Sequence, residues 1–232
     1  MRAVSLFDDF ISLIWPRTCM ACGKALYRYE DSICTNCNLT LPQTNFHTMS
    51  DNPVSRLFWG RVKLESAASF YYFSKGSRVQ HMMHSLKYRG NKDIGILLGR
   101  LYGNELINAP LFNSVNCIIP VPLHPKRLRF RGYNQSEMIS IGLSAGMRIP
   151  VDTTTLLRNT ATTTQTRKTR FKRWENVSEV FVLNNPEKIE NMHILLVDDV
   201  VTTGSTIEAC AHTLLSAKNT KISLATIACA VK

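Results

Sequence analysis

Ile194-Leu195-Leu196-Val197-Asp198-Asp199-Val200-Val201-Thr202-Thr203-Gly204-Ser205-Thr206 is the stretch whose reading decides the fold. His193–Val197 has the continuous apolar character of a strand buried on both faces. It stops abruptly at two adjacent acids. Side chains alternate along a strand, so both acids serve one ligand only where the strand ends and the backbone turns. A loop of small residues then opens a helix. The backbone N–H groups and hydroxyls of Thr203–Thr206 form a cradle for a phosphate at that helix N-terminus. Acids beside a phosphate cradle make sense when they hold neutral sugar hydroxyls, and they help to place Mg²⁺ carried by phosphates. The segment predicts a sugar-phosphate site.

The same alternation extends outward on both sides. Strands are predicted at Ala67–Phe73, Val115–Val121 and Ile222–Ala230, with short ones at Ile149–Val151 and Val180–Leu183. Helices are predicted at Ser77–Lys87, Ile94–Asn108, Gln135–Ala145 (Gly146 as its C-cap) and Ser205–Ala217. Strand, helix, strand in succession gives βαβ units. The fold class is therefore α/β, a Rossmann-like parallel sheet with its ligand at the carboxyl ends of the strands.

Upstream lies a different kind of sequence. Cys19-Met20-Ala21-Cys22-Gly23 and Cys34-Thr35-Asn36-Cys37 form two CxxC pairs. Four thiolates at this spacing suit a closed tetrahedral zinc site, structural rather than catalytic. Gly23 permits the positive φ that such a turn often needs. Ala25–Tyr29 and Ile33 read as arms of a hairpin around Glu30-Asp31. A module this small needs metal binding to fold. Cys117, Cys210 and Cys229 sit alone in apolar stretches and read as inert buried thiols.

The 232 residues carry 28 Lys plus Arg against 17 Asp plus Glu, a net +11, which asks for an anionic partner. Residues 1–50 are neutral. Residues 120–173 hold eleven cations against Glu137 and Asp152. This shift divides the chain into residues 1–50, a zinc-ribbon module with an N-terminal helix, and residues 51–232, the α/β domain. Val4, Leu6, Phe7, Phe10, Ile11 and Ile14 fall at helical spacing, interrupted by Asp8 and Asp9. They read as a docked amphipathic helix rather than a secretory signal. No apolar run is long enough to span a membrane. The expected compartment is the cytoplasm, where thiols stay reduced.

The thirteen residues from Ile194 to Thr206 match the 5-phosphoribosyl-1-pyrophosphate (PRPP) signature of type I phosphoribosyltransferases. Leu86-Lys87-Tyr88-Arg89-Gly90, Pro120-Val121-Pro122-Leu123-His124 and Arg131-Gly132-Tyr133-Asn134-Gln135-Ser136 resemble the ComF/GntX family. So does Arg158, with Gln165, Arg173 and Asn176 downstream. That family joins a zinc module to a phosphoribosyltransferase-like domain; Tyr133 stands where Phe is commoner. The resemblance implies that Asp198 and Asp199 contact the ribose hydroxyls, with Thr202, Thr203, Gly204, Ser205 and Thr206 on the 5′-phosphate. It also implies that Lys87-Tyr88-Arg89 faces the cleft.

By the same resemblance, the loop Val121–Arg131 receives pyrophosphate through Pro122, Leu123, Lys126 and Arg127. Pro120 and Pro122 suit a fixed bend there, with a cis bond as one form. Not all its cations can reach one ligand. His124 reads either as a general acid or as a loop histidine bonded to backbone. Arg158–Arg173 corresponds to a catalytic loop, with Lys168 and Arg170 on the departing pyrophosphate. It reads equally as a solvated basic loop, or as a nucleic-acid contact through Lys168, Arg170, Lys172 and Arg173, with Phe171 and Trp174 as stacking residues. His81 and His84 read as a surface pair. Two functions follow. One is Mg²⁺-dependent transfer of phosphoribosyl to a nitrogen acceptor with release of pyrophosphate. The other is a non-catalytic, PRPP-responsive protein that binds single-stranded DNA in natural competence, in contact with the uptake machinery and open to homodimer formation.

Overall fold

The structure, a computed structural model, describes residues 16–158 and 180–230. The segment expected to form an N-terminal helix and the residues after Arg158 in the basic segment, including Lys168, Arg170, Lys172 and Arg173, lie outside the described residues. The ordered elements begin with α1 (Thr35–Thr40) and α2 (Pro53–Arg56). Then come β1 (Ser66–Tyr72), α3 (Arg78–Tyr88), α4 (Lys92–Leu106), β2 (Cys117–Pro120) and α5 (Pro125–Arg131). The chain continues with α6 (Gln135–Met147), β3 (Leu156–Arg158) and β4 (Phe181–Leu183). It closes with β5 (His193–Val201), α7 (Ser205–Leu215) and β6 (Lys221–Cys229).

Four strands form one parallel sheet in the order β1-β6-β5-β2. Nearly every residue of these strands is buried, as two helix-covered faces require. Val151 extends the sheet with one parallel bridge to Ile118. From β2 the chain moves outward through α6 to Val151. From β5 it moves the opposite way through α7 to β6. The gap between the ends of β2 and β5 is therefore a topological switch point, where open α/β sheets bind ligands.

α4 and α6 cross on one face of the sheet with their backbones in contact. Gly95, Gly99 and Gly103 lie four residues apart on α4, opposite Gly142 and Gly146 on α6. A Cβ on Gly99 would stand 2.1 Å from the Ile139 carbonyl oxygen, and one on Gly142 2.1 Å from that of Ile96. This corrects the reading of Gly146 as a cap. Gly146 lies inside α6 because only a hydrogen fits there, and Arg148, at φ 60°, is the left-handed C-cap.

Three further expectations change. Pro125–Arg131 is a helix, not a loop: His124 Nδ1 accepts from Lys126 N at 3.1 Å, and Pro125 fits the first turn. His124 is thus a backbone-bonded cap. Every peptide bond among the described residues is trans, including those at Pro120 and Pro122. In the cysteine module, strand-like pairing joins Thr18 to Ala25 across the first CxxC turn, not residues 25–29 to Ile33. Glu30 explains why. Its buried carboxylate accepts from Tyr27 N (2.9 Å), Thr35 N (2.6 Å) and Thr35 Oγ1 (2.8 Å), so it ties the start of α1 back to the turn. These donors, first of all Thr35 N–H, hold its pKa below the ordinary value.

Candidate functional site

The acids of β5 do not lie past the end of the strand, as alternation alone predicts. The ladder with β6 continues to the Val201–Cys229 pair, whereas pairing with β2 ends at Pro120–Val197. β5 outruns β2 by four residues, and the vacated flank is taken by the start of α6. Asn134 caps that helix and donates from Nδ2 to the Val121 carbonyl at 3.0 Å. Ser136 Oγ donates to Asp198 Oδ1 at 2.9 Å, and Asp199 N donates to the same oxygen at 2.8 Å. Lys87 reaches in from the end of α3, its Nζ 2.9 Å from Asp199 Oδ2. The Lys87-Tyr88-Arg89 motif thus does reach the crevice, through its lysine.

Burial raises the Asp198 pKa to about 7, and the charge of Asp199 adds to the effect; the Asp199 N–H, Ser136 and Lys87 oppose it. Asp198 therefore exchanges its proton near neutral pH, and the acid pair presents hydrogen-bond acceptors beside Lys87 Nζ, which suits neutral hydroxyls.

The loop after β5 leads into α7 through Gly204, at φ 75°. No side chain caps α7, and Thr202, Thr203, Ser205 and Thr206 are exposed around its start. Behind the loop lies a contact that distance in sequence conceals. A Cβ on Gly204 would stand 2.7 Å from the Phe58 ring, so glycine is required twice over, by φ and by space. Arg61 donates to the Thr203 carbonyl at 2.9 Å and pairs with Glu208 in the first turns of α7. Phe58 and Arg61 therefore fix the back of the loop. No sequence motif marks them.

Of the other expected residues, Pro122 and Leu123 are half-buried at the end of β2, beside the crevice. Lys126 and Arg127 are exposed on α5. Tyr133 donates its hydroxyl to the Leu86 carbonyl, a bond that Phe cannot make. Cys117, Cys210 and Cys229 are buried, as expected of inert thiols. His81 and His84 are exposed on α3.

The sulfurs of Cys19, Cys22, Cys34 and Cys37 all lie within 4.8 Å of one another, and Cys22 and Cys34 are 3.8 Å apart. A tetrahedron with metal–sulfur bonds of about 2.3 Å has edges of about 3.8 Å, so the cluster can hold a metal ion. Burial pushes the Cys19 thiol up, but N–H donors from Cys34, Cys22 and Ala21 outweigh it and hold the pKa at about 7. Burial, with the facing thiols, pushes Cys37 up to about 12 against the pull of Arg78. Four thiols this close oppose one another's ionisation, and a divalent cation removes that conflict. Arg78, at the start of α3, donates to Cys37 Sγ at 3.5 Å. His81 Nδ1 lies 3.3 Å from the Ala21 carbonyl, and Ser85 and Asn91 donate to Met20 Sδ. The module therefore rests along α3.

Fold and crevice together define a phosphoribosyltransferase-like protein. A sequence profile described as the phosphoribosyl transferase domain matches residues 145–231. "DNA utilization protein YhgH" of Shigella flexneri is 31% identical over 205 residues, covering 85% of this chain and 83% of its own length. "Competence protein F" of Haemophilus influenzae is 37% identical over 98 residues, 42% of this chain and 43% of its own. "Competence protein ComFC" of Bacillus subtilis is 24% identical over 200 residues, 86% of this chain and 78% of its own. The chain belongs to the ComF family, a cysteine-cluster module joined to a phosphoribosyltransferase-like domain. No helix among the described residues is long and apolar enough to cross a membrane.

Proposed function

We propose that this chain is a PRPP-responsive protein that binds single-stranded DNA in natural competence, acting in the cytoplasm. One observation carries the reading. A sugar-phosphate crevice with an acid pair and an uncapped helix start lies in a strongly basic chain whose relatives are named for DNA utilization and competence. Asp198 and Asp199 accept from the ribose hydroxyls, and Thr202–Thr206 hold the 5′-phosphate. Pro122, Leu123, Lys126 and Arg127 receive the pyrophosphate, which brings Mg²⁺ with it. The pairing of Asp199 with Lys87 supports binding to a metal already neutralised by phosphates rather than to a bare ion. Lys168, Arg170, Lys172 and Arg173 contact DNA phosphates. Zinc is the metal that four thiolates favour, and residues 1–50 form its module beside the domain of residues 51–232.

The match of Ile194–Thr206 to the PRPP signature favours a second reading, phosphoribosyl transfer. There the C1′–O bond to pyrophosphate breaks, the leaving group keeps the electron pair, and a nitrogen acceptor bonds to C1′ and gives up a proton. Lys168 and Arg170 then stabilise the departing charge.

Calorimetry with Mg²⁺ and PRPP, repeated with a single-stranded oligonucleotide, tests both. The first reading expects heat with each ligand and a shift in PRPP affinity when DNA is bound. Asp198→Asn/Asp199→Asn loses the PRPP heat and keeps the DNA heat. No heat with PRPP refutes the crevice assignment. Pyrophosphate release with a nucleobase, amine or ammonia moves the conclusion to the transferase.

A further inference from the structure

We infer that the exposed face of α5, with Tyr88 at the end of α3, is the docking surface for single-stranded nucleic acid. The inference deepens the DNA reading above and rests on it. α5 buries none of its seven residues, yet two of them are large and apolar. Phe130 is 80% exposed and Leu128 42%. Leaving a Phe side chain in water forgoes the gain of burial, and nothing among the described residues recovers it. The remaining side chains add Lys126, Arg127, Arg129 and Arg131, with no acid among them. Four cations in under two turns repel one another. Arg131 is held within the fold by Gln135 Oε1 at 2.7 Å, whereas the exposed Phe130 among the other cations points to a partner.

The arrangement specifies that partner. Phe130 lies between Arg129 and Arg131, the two cations of this helix not assigned to the pyrophosphate above. Tyr88 is 57% exposed, and the Arg131 guanidinium stands 5.3 Å from its ring centroid. The His84 ring lies 4.7 Å from the same tyrosine. Flat rings interleaved with cations match a strand whose bases are unstacked and whose phosphates repeat between them. A duplex offers the phosphates but hides the base faces. An acidic peptide satisfies the cations but does not need the rings.

The test uses the full chain and a fluorescein-labelled oligothymidylate of about 20 nucleotides, read by anisotropy across a salt series. Phe130→Ala/Tyr88→Ala is expected to weaken binding at least about tenfold without changing the salt slope, since stacking carries no charge. Phe130→Trp keeps the affinity. Arg129→Gln is expected to lower the salt slope by about 0.7, one phosphate contact on a single strand. Unfolding temperatures show that each variant is folded. Unchanged affinity in the folded aromatic double variant overturns this surface while leaving the DNA reading intact. Failure of the wild-type chain to bind removes both. Equal affinity for a duplex of matched length, or aromatic-dependent capture of a polyglutamate peptide in preference to DNA, overturns the assigned partner.

Discussion

The crossing of α4 and α6 makes a sharp prediction, because helix propensity and packing pull opposite ways. In an isolated helix Gly→Ala gains about 1 kcal/mol. At Gly99 the new methyl carbon would lie 2.1 Å from the Ile139 carbonyl oxygen and 3.0 Å from both Ile139 C and Leu143 N. Contacts below 3.0 Å are essentially never seen for a real Cβ, and these atoms are backbone. The helices must part by about 0.9 Å, a gap that forfeits a quarter to a half of each contact along the seam. Overpacking typically costs about 1–3 kcal/mol, and separating whole helices belongs at or above the upper end. We expect Gly99→Ala to destabilise by about 2 kcal/mol net, or roughly 4–8 °C in Tm for a chain of this size. Gly142→Ala should match it, with its Cβ 2.1 Å from the Ile96 oxygen. Gly95→Ala is the control. Its nearest neighbours are a Leu86 methyl at 2.9 Å and Met138 Cβ at 3.1 Å, side-chain atoms that need give only a few tenths of an ångström, so the cost stays at about 1 kcal/mol. α6 also carries Ser136, so displacing it is expected to loosen Asp198 and to weaken the proposed PRPP binding. Urea unfolding measures the stabilities. A Gly99→Ala protein as stable as wild type refutes the backbone contact.

Gly204→Ala meets both the Phe58 ring and an unfavourable φ, and Arg61→Ala frees the Thr203 carbonyl. Each should weaken ribose 5-phosphate binding about tenfold and leave pyrophosphate binding nearly unchanged, by calorimetry. Asp198 has a raised pKa, so the folded state holds its proton more tightly than the unfolded one. The associated stability is complete below the unfolded pKa near 4 and is lost as pH rises through about 7. Asp198→Asn should therefore raise Tm over wild type at pH 8 by a few degrees, with the gap closing toward pH 4; a constant gap excludes titration as the cause. Tyr133→Phe removes one buried hydrogen bond and should lower stability by about 1 kcal/mol in urea. Cys37→Ser should reduce bound zinc from one equivalent to well under one, by elemental analysis, and lower Tm; full zinc retention refutes the four-thiolate site.

The parallel core was legible because strands buried on both faces are continuous apolar runs, and Cys117–Val121 and Ile194–Val197 are such runs. The acid pair and the loop after it were legible because their chemistry is local in sequence. The missed features share a different character. β5 runs on through its acids because β6 supplies a partner there, a tertiary fact no window contains. The α4–α6 seam was hidden because a glycine inside a helix reads as a weakness until another backbone is seen against it. α5 read as a loop because its two supports, a histidine cap and an N-terminal proline, are short-range and its composition is that of a solvated surface. Phe58 and Arg61 stand about 145 residues from the loop they brace, with no motif of their own.

Helix α3 begins at the cysteine cluster and ends at the acid pair, with Arg78 on Cys37 and Lys87 on Asp199. Nine residues separate them, roughly 14 Å of α-helical rise. The two centres are thus spaced by a rod of backbone hydrogen bonds rather than by a tether. The cysteine cluster and the acid pair thus stand at opposite ends of one uninterrupted helix, so their separation is written in its length.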